Sequence, residues 1–407
     1  MFGRKDETIH IELSEKHNEK KFLLFIVLLA FGLFMIGYGL YSALTTDPGW
    51  REIEPQKTEE LNCGDEFVLM YNVGASGIGA TVEYKEIVNL YSEATMKAYQ
   101  LFTCYSEYEG IHNVCYINAH PNEEIKVDEV LYNAFELLQK HENRNLYLGP
   151  IYTYYDNLFY VSDESELVYY DPYISEEIRT YYEEIASFAA NPEQIRLELL
   201  GDQKIKLVVS DEYLQYANEN EIHNYIDFYW MKNAFIIDYL AETLIANGHT
   251  LGTISSYDGY CRNLDDSGNV YAFNVYDKEA QGIYEATVLN YSGAHSIVNL
   301  KDFAVSEKET SRIYELKNGE ARTNYVVPSA IDSLISYSNE TGCAEIMLQM
   351  SPVYFAEQFE AEKLQNLCEQ DIYSIYCEDR VIYYNEAEAT FTEEYQDSQI
   401  QYVLKLF

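Results

Sequence analysis

Two aspartates in the segment 225–259, Asp227 and Asp238, are the side chains best placed to do chemistry. They stand eleven residues apart around a turn and the start of a helix, and Asp258 follows in a later turn. Apolar residues at helical spacing predict the helix, and Asn247-Gly248 is a pair typical of helix ends. We therefore expect a strand end, a tight turn, a helix and a second strand to position these acids.

The segment resembles the glycine-rich motif of the ApbE family, the FAD:protein FMN transferases, when the two aspartates are aligned with the family's own. The resemblance implies that a dinucleotide approaches the backbone of the turn beside a magnesium ion. The family's two glycines, its alanine and its lysine then fall on Tyr229, Trp230, Lys232 and Asn233. A register shifted by one residue makes Lys232 the family lysine but loses both aspartates, so the first register is preferred.

Further family motifs keep their spacing while their side chains differ. The motif that supplies an aspartate and a threonine to the metal falls near residues 350–358, where Ser351 and Phe355 take those places. Glu357 lies nearby and could substitute as a ligand, and the carbonyl of Lys232 is the remaining family metal position. The histidine-containing motif falls on NYVVP, which begins at Asn324. The turn formed by Asp258 and Gly259 stands where the family has a glycine-rich turn.

FMN transfer from FAD to threonine or serine breaks a pyrophosphate, so it needs a cation, close backbone approach to the phosphates and an activated hydroxyl. The resemblance implies FAD and Mg²⁺ as cofactors. The catalytic candidates are Asp227, Asp238 and Asp258, and the cofactor-binding candidates are Tyr229, Trp230, Lys232, Asn233, Gly259 and Asn324.

Aromatic side chains obstruct close phosphate approach, which glycine permits, and a phenyl ring offers magnesium no oxygen. These replacements favour a non-catalytic flavin-binding or assembly protein, a pseudoenzyme that acts with a flavoprotein or cell-surface partner. Two alternatives stay open. One is an active magnesium-dependent transferase that flavinylates a partner protein, and the other is an acidic cell-surface binding domain.

Residues 22–44 carry no charge and would form about 34 Å of helix, enough to cross a hydrocarbon core of about 30 Å. Lys16, Lys20 and Lys21 precede this stretch, whereas Arg51 and Lys57 follow it at a distance. The positive-inside rule predicts a single-pass protein of the cell membrane with a cytoplasmic N-terminus. The expected divisions are a tip (1–21), the transmembrane helix (22–44), a linker (45–61) and an extracytoplasmic ApbE-like domain (62–407).

The net charge of −41 over 407 residues argues against nucleic acid as a partner, because phosphate backbones would be repelled. The seven cysteines, of which Cys63 is the first, cannot all pair, and free thiols are expected.

The mixed order of strands and helices predicts an α+β fold, and the resemblance implies an ApbE-like (T-fold-related) domain of antiparallel strands packed with helices. Within it we expect a hairpin turn at 264–268, a meander of strands over 269–300 and a helix that begins at Ser351 and runs to Leu367.

Overall fold

An apolar helix, α1 (Asn18–Leu44), begins the part of the chain that the computed structural model describes, which comprises residues 18–56, 66–392 and 400–407. Its stretch Phe22–Gly39 has a mean hydropathy of 2.5 and no residue buried against the body. The helix is long and apolar enough to cross a membrane. Much of the predicted tip, part of the predicted linker and Cys63 lie outside the described residues.

The body combines strands and helices in a mixed order. The strands are β1 (Gly49–Ile53), β2 (Phe67–Val73), β3 (Glu124–Lys126), β4 (Ile195–Gly201), β5 (Lys204–Val209), β6 (Gly252–Ser256), β7 (Tyr260–Asn263), β8 (Val270–Glu279), β9 (Gly282–Ser292), β10 (His295–Lys301), β11 (Ile313–Glu315), β12 (Ala321–Thr323), β13 (Ser333–Ser338), β14 (Tyr373–Glu378), β15 (Val381–Tyr384), β16 (Thr390–Thr392) and β17 (Val403–Leu406). The helices after α1 are α2 (Ala80–Phe102), α3 (Val114–Ala119), α4 (Glu129–Lys140), α5 (Gly149–Tyr155), α6 (Glu176–Ala190), α7 (Asp211–Glu219), α8 (Lys232–Ala246), α9 (Cys343–Tyr354) and α10 (Glu362–Cys368).

A nine-stranded sheet in the order β1-β2-β6-β7-β10-β13-β14-β15-β17 forms the centre of the body. Its neighbouring strands are antiparallel except for the pair β15 and β17. Side chains alternate between the faces of a strand, so Val298 and Leu300 of β10 join the core under the helices, whereas Ile297 joins a second core. The small sheet β16-β9-β8 covers that second face. These layers confirm the predicted α+β class.

The chain between α2 and α8 forms a layer of its own. It contains α3 to α7 and the antiparallel sheet β3-β5-β4, and its apolar residues pack into the same main core. Strands β4 and β5 pair as an antiparallel hairpin around Gly201 and Asp202. This layer supplies one wall of the site described below.

The predicted strand before the central turn is wrong. Residues 224–228 form no strand, and a short 3₁₀ helix, Tyr229–Met231, leads directly into α8. The backbone amide of Ile226 donates to the side chain of Asn118, and that of Asp227 donates to the Leu146 carbonyl. The Asn118 side chain and a loop carbonyl therefore accept the hydrogen bonds that these backbone amides would donate to a neighbouring strand.

The predicted meander over 269–300 is wrong in its last strand. β8 and β9 pair with each other, but β10 pairs with β7 and β13 in the main sheet. Because β10 is buried on both faces, it is suited to the centre of a covered sheet. The turn at 264–268 consequently links two sheets and is no hairpin. The Asp265 carboxylate holds this turn by accepting from the Ser267 amide, at 2.8 Å, and from Asn269.

The helix predicted to begin at Ser351 begins eight residues earlier, at Cys343, and ends at Tyr354. The Asp238 carboxylate accepts hydrogen bonds from the backbone amides of Cys343 and Ala344, both at 2.9 Å. It thereby caps α9 from the middle of α8, a contact that local sequence does not reveal. Pro352 lies in the last turn, and α10 is a separate helix.

Replacing Asp238 by asparagine is expected to lower the free energy of unfolding by about 2 kcal/mol, because hydrogen bonds to charged groups are worth about 1.5–3 kcal/mol. Asp238 also pairs with Arg262 at 2.9 Å, and both side chains are less than one-fifth exposed. Urea denaturation of the detergent-solubilised chain measures the change. Glu242→Gln, at an exposed position one turn further along α8, is the matched control and should change stability by less than about 0.5 kcal/mol. Equal effects of the two substitutions would contradict the capping role.

Candidate functional site

The turn before α8 is held by side chains. Asp227 is 4% exposed, and its Oδ1 accepts from the Tyr229 amide at 2.9 Å. Tyr229 has a φ of 42°, in the left-handed region that glycine adopts most easily. Its hydroxyl donates to Asp156 at 2.9 Å, and its ring stacks on that of Tyr152 with centroids 4.7 Å apart. Hydrogen bonds and stacking thus fix a conformation for which glycine is the usual residue.

The charged cavity, as we name it, lies in front of this turn and has a volume of about 400 Å³. Its polar lining includes Glu66, Asp156, Asp227, Lys232, Arg312 and Asn324. Much of the remaining wall is aromatic and consists of the rings of Tyr99, Phe102, Tyr105, Phe159, Tyr160, Tyr229 and Trp230. The volume lies within the range of roughly 300–1,000 Å³ that is usual for small-molecule sites.

An ion-pair cluster fills one end of the charged cavity. Arg312 Nη2 lies 3.0 Å from Glu66, and Arg312 Nη1 lies 3.5 Å from Asp258. Lys232 Nζ lies 3.7 Å from Glu66 Oε1. The Asn233 amide donates to both carboxylates, at 2.9 Å to Glu66 and 2.8 Å to Asp258. Both cations of the cavity are therefore engaged by carboxylates of the chain itself.

The environment shifts the acidity of these groups in opposite directions. Burial raises the pKa of Glu66, but the charges of Lys232 and Arg312 outweigh burial, and the net pKa lies below its usual value. Burial raises the pKa of Asp227. Burial and then the Asp227 charge raise the pKa of the Cys104 thiol, whose Sγ donates to Asp227 Oδ2 at 3.2 Å. Cys104 thus stays a thiol, which is a poor nucleophile.

Trp230 separates the charged cavity from a second one, which we name the aromatic cavity and which measures about 620 Å³. The Trp230 side chain is 2% exposed and meets Tyr325 and Phe355 edge to face, each with centroids 5.5 Å apart. Rings of Tyr152, Tyr173, Tyr182, Trp230, Tyr325 and Phe355 line the aromatic cavity. Two adjoining cavities therefore share one indole as their partition.

The structure brings most of the predicted cofactor residues together. Those that line the charged cavity are Asp227, Tyr229, Trp230, Lys232 and Asn324. Asn233 and Asp258 lie in its ion-pair cluster. Asp238 caps α9 instead, and Gly259 lies outside this cavity, close to the Asn299 backbone. Ser351 and Phe355 line the aromatic cavity, beyond Trp230, and Glu357 is exposed after the end of α9.

Sequence reasoning missed four residues of the site: Glu66, Cys104, Asp156 and Arg312. They come from four separate segments, and each contacts a predicted residue only through the fold. No local spacing marks them. The only indirect signal was Lys232 itself, since a lysine at a wall of a cavity favours an acidic partner.

The residues present do not fit a magnesium ion at the expected place. Of the acids there, Glu66 and Asp258 are held by Lys232 and Arg312, whose charges repel a cation. Ser351 lies across Trp230 from them, and Phe355 has no oxygen. Among the described residues no group of three or more His, Cys, Asp or Glu could hold a metal. The aromatic walls, in contrast, fit a planar ring such as that of a flavin.

The layered α+β fold is ApbE-like, as the sequence resemblance predicted. No family model matches the sequence, and no curated protein matches it.

The fold likeness is to the ApbE protein of Thermotoga maritima, with a TM-score of 0.52, 12% identity, and coverage of 80% of this chain and 94% of that one. The flavin transferase ApbE of Vibrio cholerae and a mutant of it align with TM-scores of 0.48 and 0.47, at 11% and 12% identity, over 82% of this chain and 93% of theirs. The assignment rests on the first of these structures, and the likeness concerns the fold.

Proposed function

We propose that this chain is a membrane-anchored flavin-binding protein with an ApbE-like fold that does not transfer FMN. The observation that carries the proposal is the ion-pair cluster of Glu66, Arg312 and Asp258. Lys232 also lies at the position expected to face magnesium. Charge neutralisation by a metal at the breaking pyrophosphate is what the transfer would require.

The turn before α8 supports the same proposal. Where phosphates would approach a glycine backbone, Tyr229 is fixed by its hydrogen bond to Asp156, and Trp230 is buried in a cluster of rings. Opening this turn would break both arrangements. Flavin binding is supported by the aromatic lining of the charged cavity.

Anchoring through α1 follows from its length and apolar composition. We place the body outside the cytoplasm because lysines precede the helix, in accord with the positive-inside rule. The protein would then hold a flavin, or assist a flavoprotein or other cell-surface partner, at the outer side of the cell membrane.

The test is a transfer assay on the full chain in detergent, with FAD, Mg²⁺ and a threonine-bearing acceptor peptide. Covalent flavin on the acceptor is detected by in-gel fluorescence, and an active FMN transferase serves as positive control. We expect no covalent product, together with quenching of flavin fluorescence by reversible binding. Magnesium-dependent labelling of the acceptor would overturn the proposal in favour of an active transferase. Absence of both labelling and binding would favour an acidic surface domain.

A further inference from the structure

The charge balance of the charged cavity is negative. Within the part of the chain that the structure describes, its carboxylates are Glu66, Asp156, Asp227 and, directly behind the lining, Asp258, and its cations are Lys232 and Arg312. Even without Asp227, three carboxylates face two cations. The chain as a whole carries a net charge of −41. An incoming phosphate would therefore meet a repulsive field at close and long range.

Both cations already pair with carboxylates of the chain, so a phosphate would have to compete with these carboxylates for the positive charge. A phosphate on Arg312 would compete for its charge with Glu66, at 3.0 Å, and Asp258, at 3.5 Å, and would tend to release one of them. The released carboxylate would stay in the same cavity beside the phosphate, because Asn233 bonds both acids. An uncharged ligand leaves this cluster intact.

The rest of the cavity offers contacts suited to an uncharged ring. Hydroxyl and amide side chains of Thr103, Ser311 and Asn324 line it and can hydrogen-bond to the polar edge of a heterocycle. At the rim, Tyr105 and Tyr160 are 64% and 79% exposed. Such rings provide flat apolar surface without charge.

We infer that the charged cavity binds an uncharged planar heteroaromatic ligand of the riboflavin type, with a polar ring edge, in preference to its phosphorylated forms. This inference rests on the proposed function, since it specifies which flavin the protein holds. It contrasts with the dinucleotide that the sequence resemblance implies.

The experiment titrates the full chain in uncharged detergent with riboflavin, FMN and FAD, followed by flavin fluorescence and calorimetry. We expect riboflavin to bind at least tenfold more tightly than FMN or FAD, and we expect the difference to shrink as salt screens the repulsion. Asp156→Asn should lower the ratio of the riboflavin affinity to the FMN affinity severalfold, since it removes one negative charge from the lining. Glu166→Gln, at an exposed position outside the cavity, is the matched control and should leave the ratio unchanged.

A substitution at the exposed rim of the charged cavity tests ligand binding without disturbing the core. Tyr160→Ala removes a largely exposed ring, and we expect it to weaken riboflavin binding about fivefold, in line with the modest energy of single aromatic contacts. Tyr169→Ala, at an exposed position that does not line the cavity, should have no effect.

The outcomes separate the inference from the proposed function. FMN or FAD binding as tightly as riboflavin, without covalent transfer, would overturn the inference and leave the proposed function standing. Transfer of FMN to the acceptor would overturn the proposed function whichever flavin binds more tightly. Failure of riboflavin, FMN and FAD all to bind would overturn both.

Discussion

The variant Trp230→Ala is expected to lose about 3–5 kcal/mol of the free energy of unfolding and to join the charged and aromatic cavities, because large buried rings cost that much to remove. The indole is 2% exposed and packs edge to face on Tyr325 and Phe355. Urea denaturation followed by circular dichroism measures the loss, and a crystal structure of the variant should show one continuous cavity.

The chain supplies its own control, since Trp50 is the only other tryptophan. Trp50 is 48% exposed and makes an edge contact with Tyr271, so Trp50→Ala should cost about 1 kcal/mol. If both variants lost a similar amount of unfolding free energy, Trp230 would not be a buried side chain that separates the two cavities. In Trp230→Phe much of the packing remains, and a smaller loss is expected.

The sequence predicted the central helix well because its signals are local. Apolar spacing and the Asn247-Gly248 stop are read within one segment, and α8 ends at Ala246 with Gly248 at a φ of 82°. The start of α9 was mispredicted because its cap comes from Asp238, more than one hundred residues away. Ser351-Pro352 is a good helix-start signal that tertiary contacts overrode.

The site shows the same division between local and distant information. Alignment with the ApbE motif selected Asp227, Tyr229, Trp230 and Lys232, and all four line one cavity. The sequence did not predict that Arg312 belongs to the site. This residue lies in the segment after β10 and forms an ion pair with Glu66. Whether a lysine at a metal position is free or paired decides what the cavity can bind, and that is a property of the fold.

Replacing Gly259 by alanine is expected to be among the most damaging single changes, with a loss of about 5 kcal/mol. Gly259 has a φ of 98°, and an added Cβ would lie 2.1 Å from the Asn299 carbonyl oxygen. A non-glycine residue in such a conformation costs about 1–3 kcal/mol, and overpacking adds about 1–3 kcal/mol. We expect a loss near the upper end of the summed range, because the atom that the added Cβ would meet belongs to the backbone and cannot rotate away. The Asn299 amide donates to the Gly259 carbonyl at 2.8 Å, so β10 cannot withdraw without losing this bond.

The control for Gly259→Ala is Gly268→Ala, at a φ of 88° with no atom within 4 Å of the added Cβ, which should cost only about 1–2 kcal/mol. Denaturation of both variants separates steric exclusion from conformational strain, and equal losses of unfolding free energy would contradict the close approach of Gly259 to Asn299.

The substitution at Gly259 should also affect the site, because Asp258 precedes Gly259 and contacts Arg312 and Asn233. A shift of this turn would release Arg312 from one of its two carboxylates, so any folded Gly259→Ala protein should discriminate less strongly against FMN.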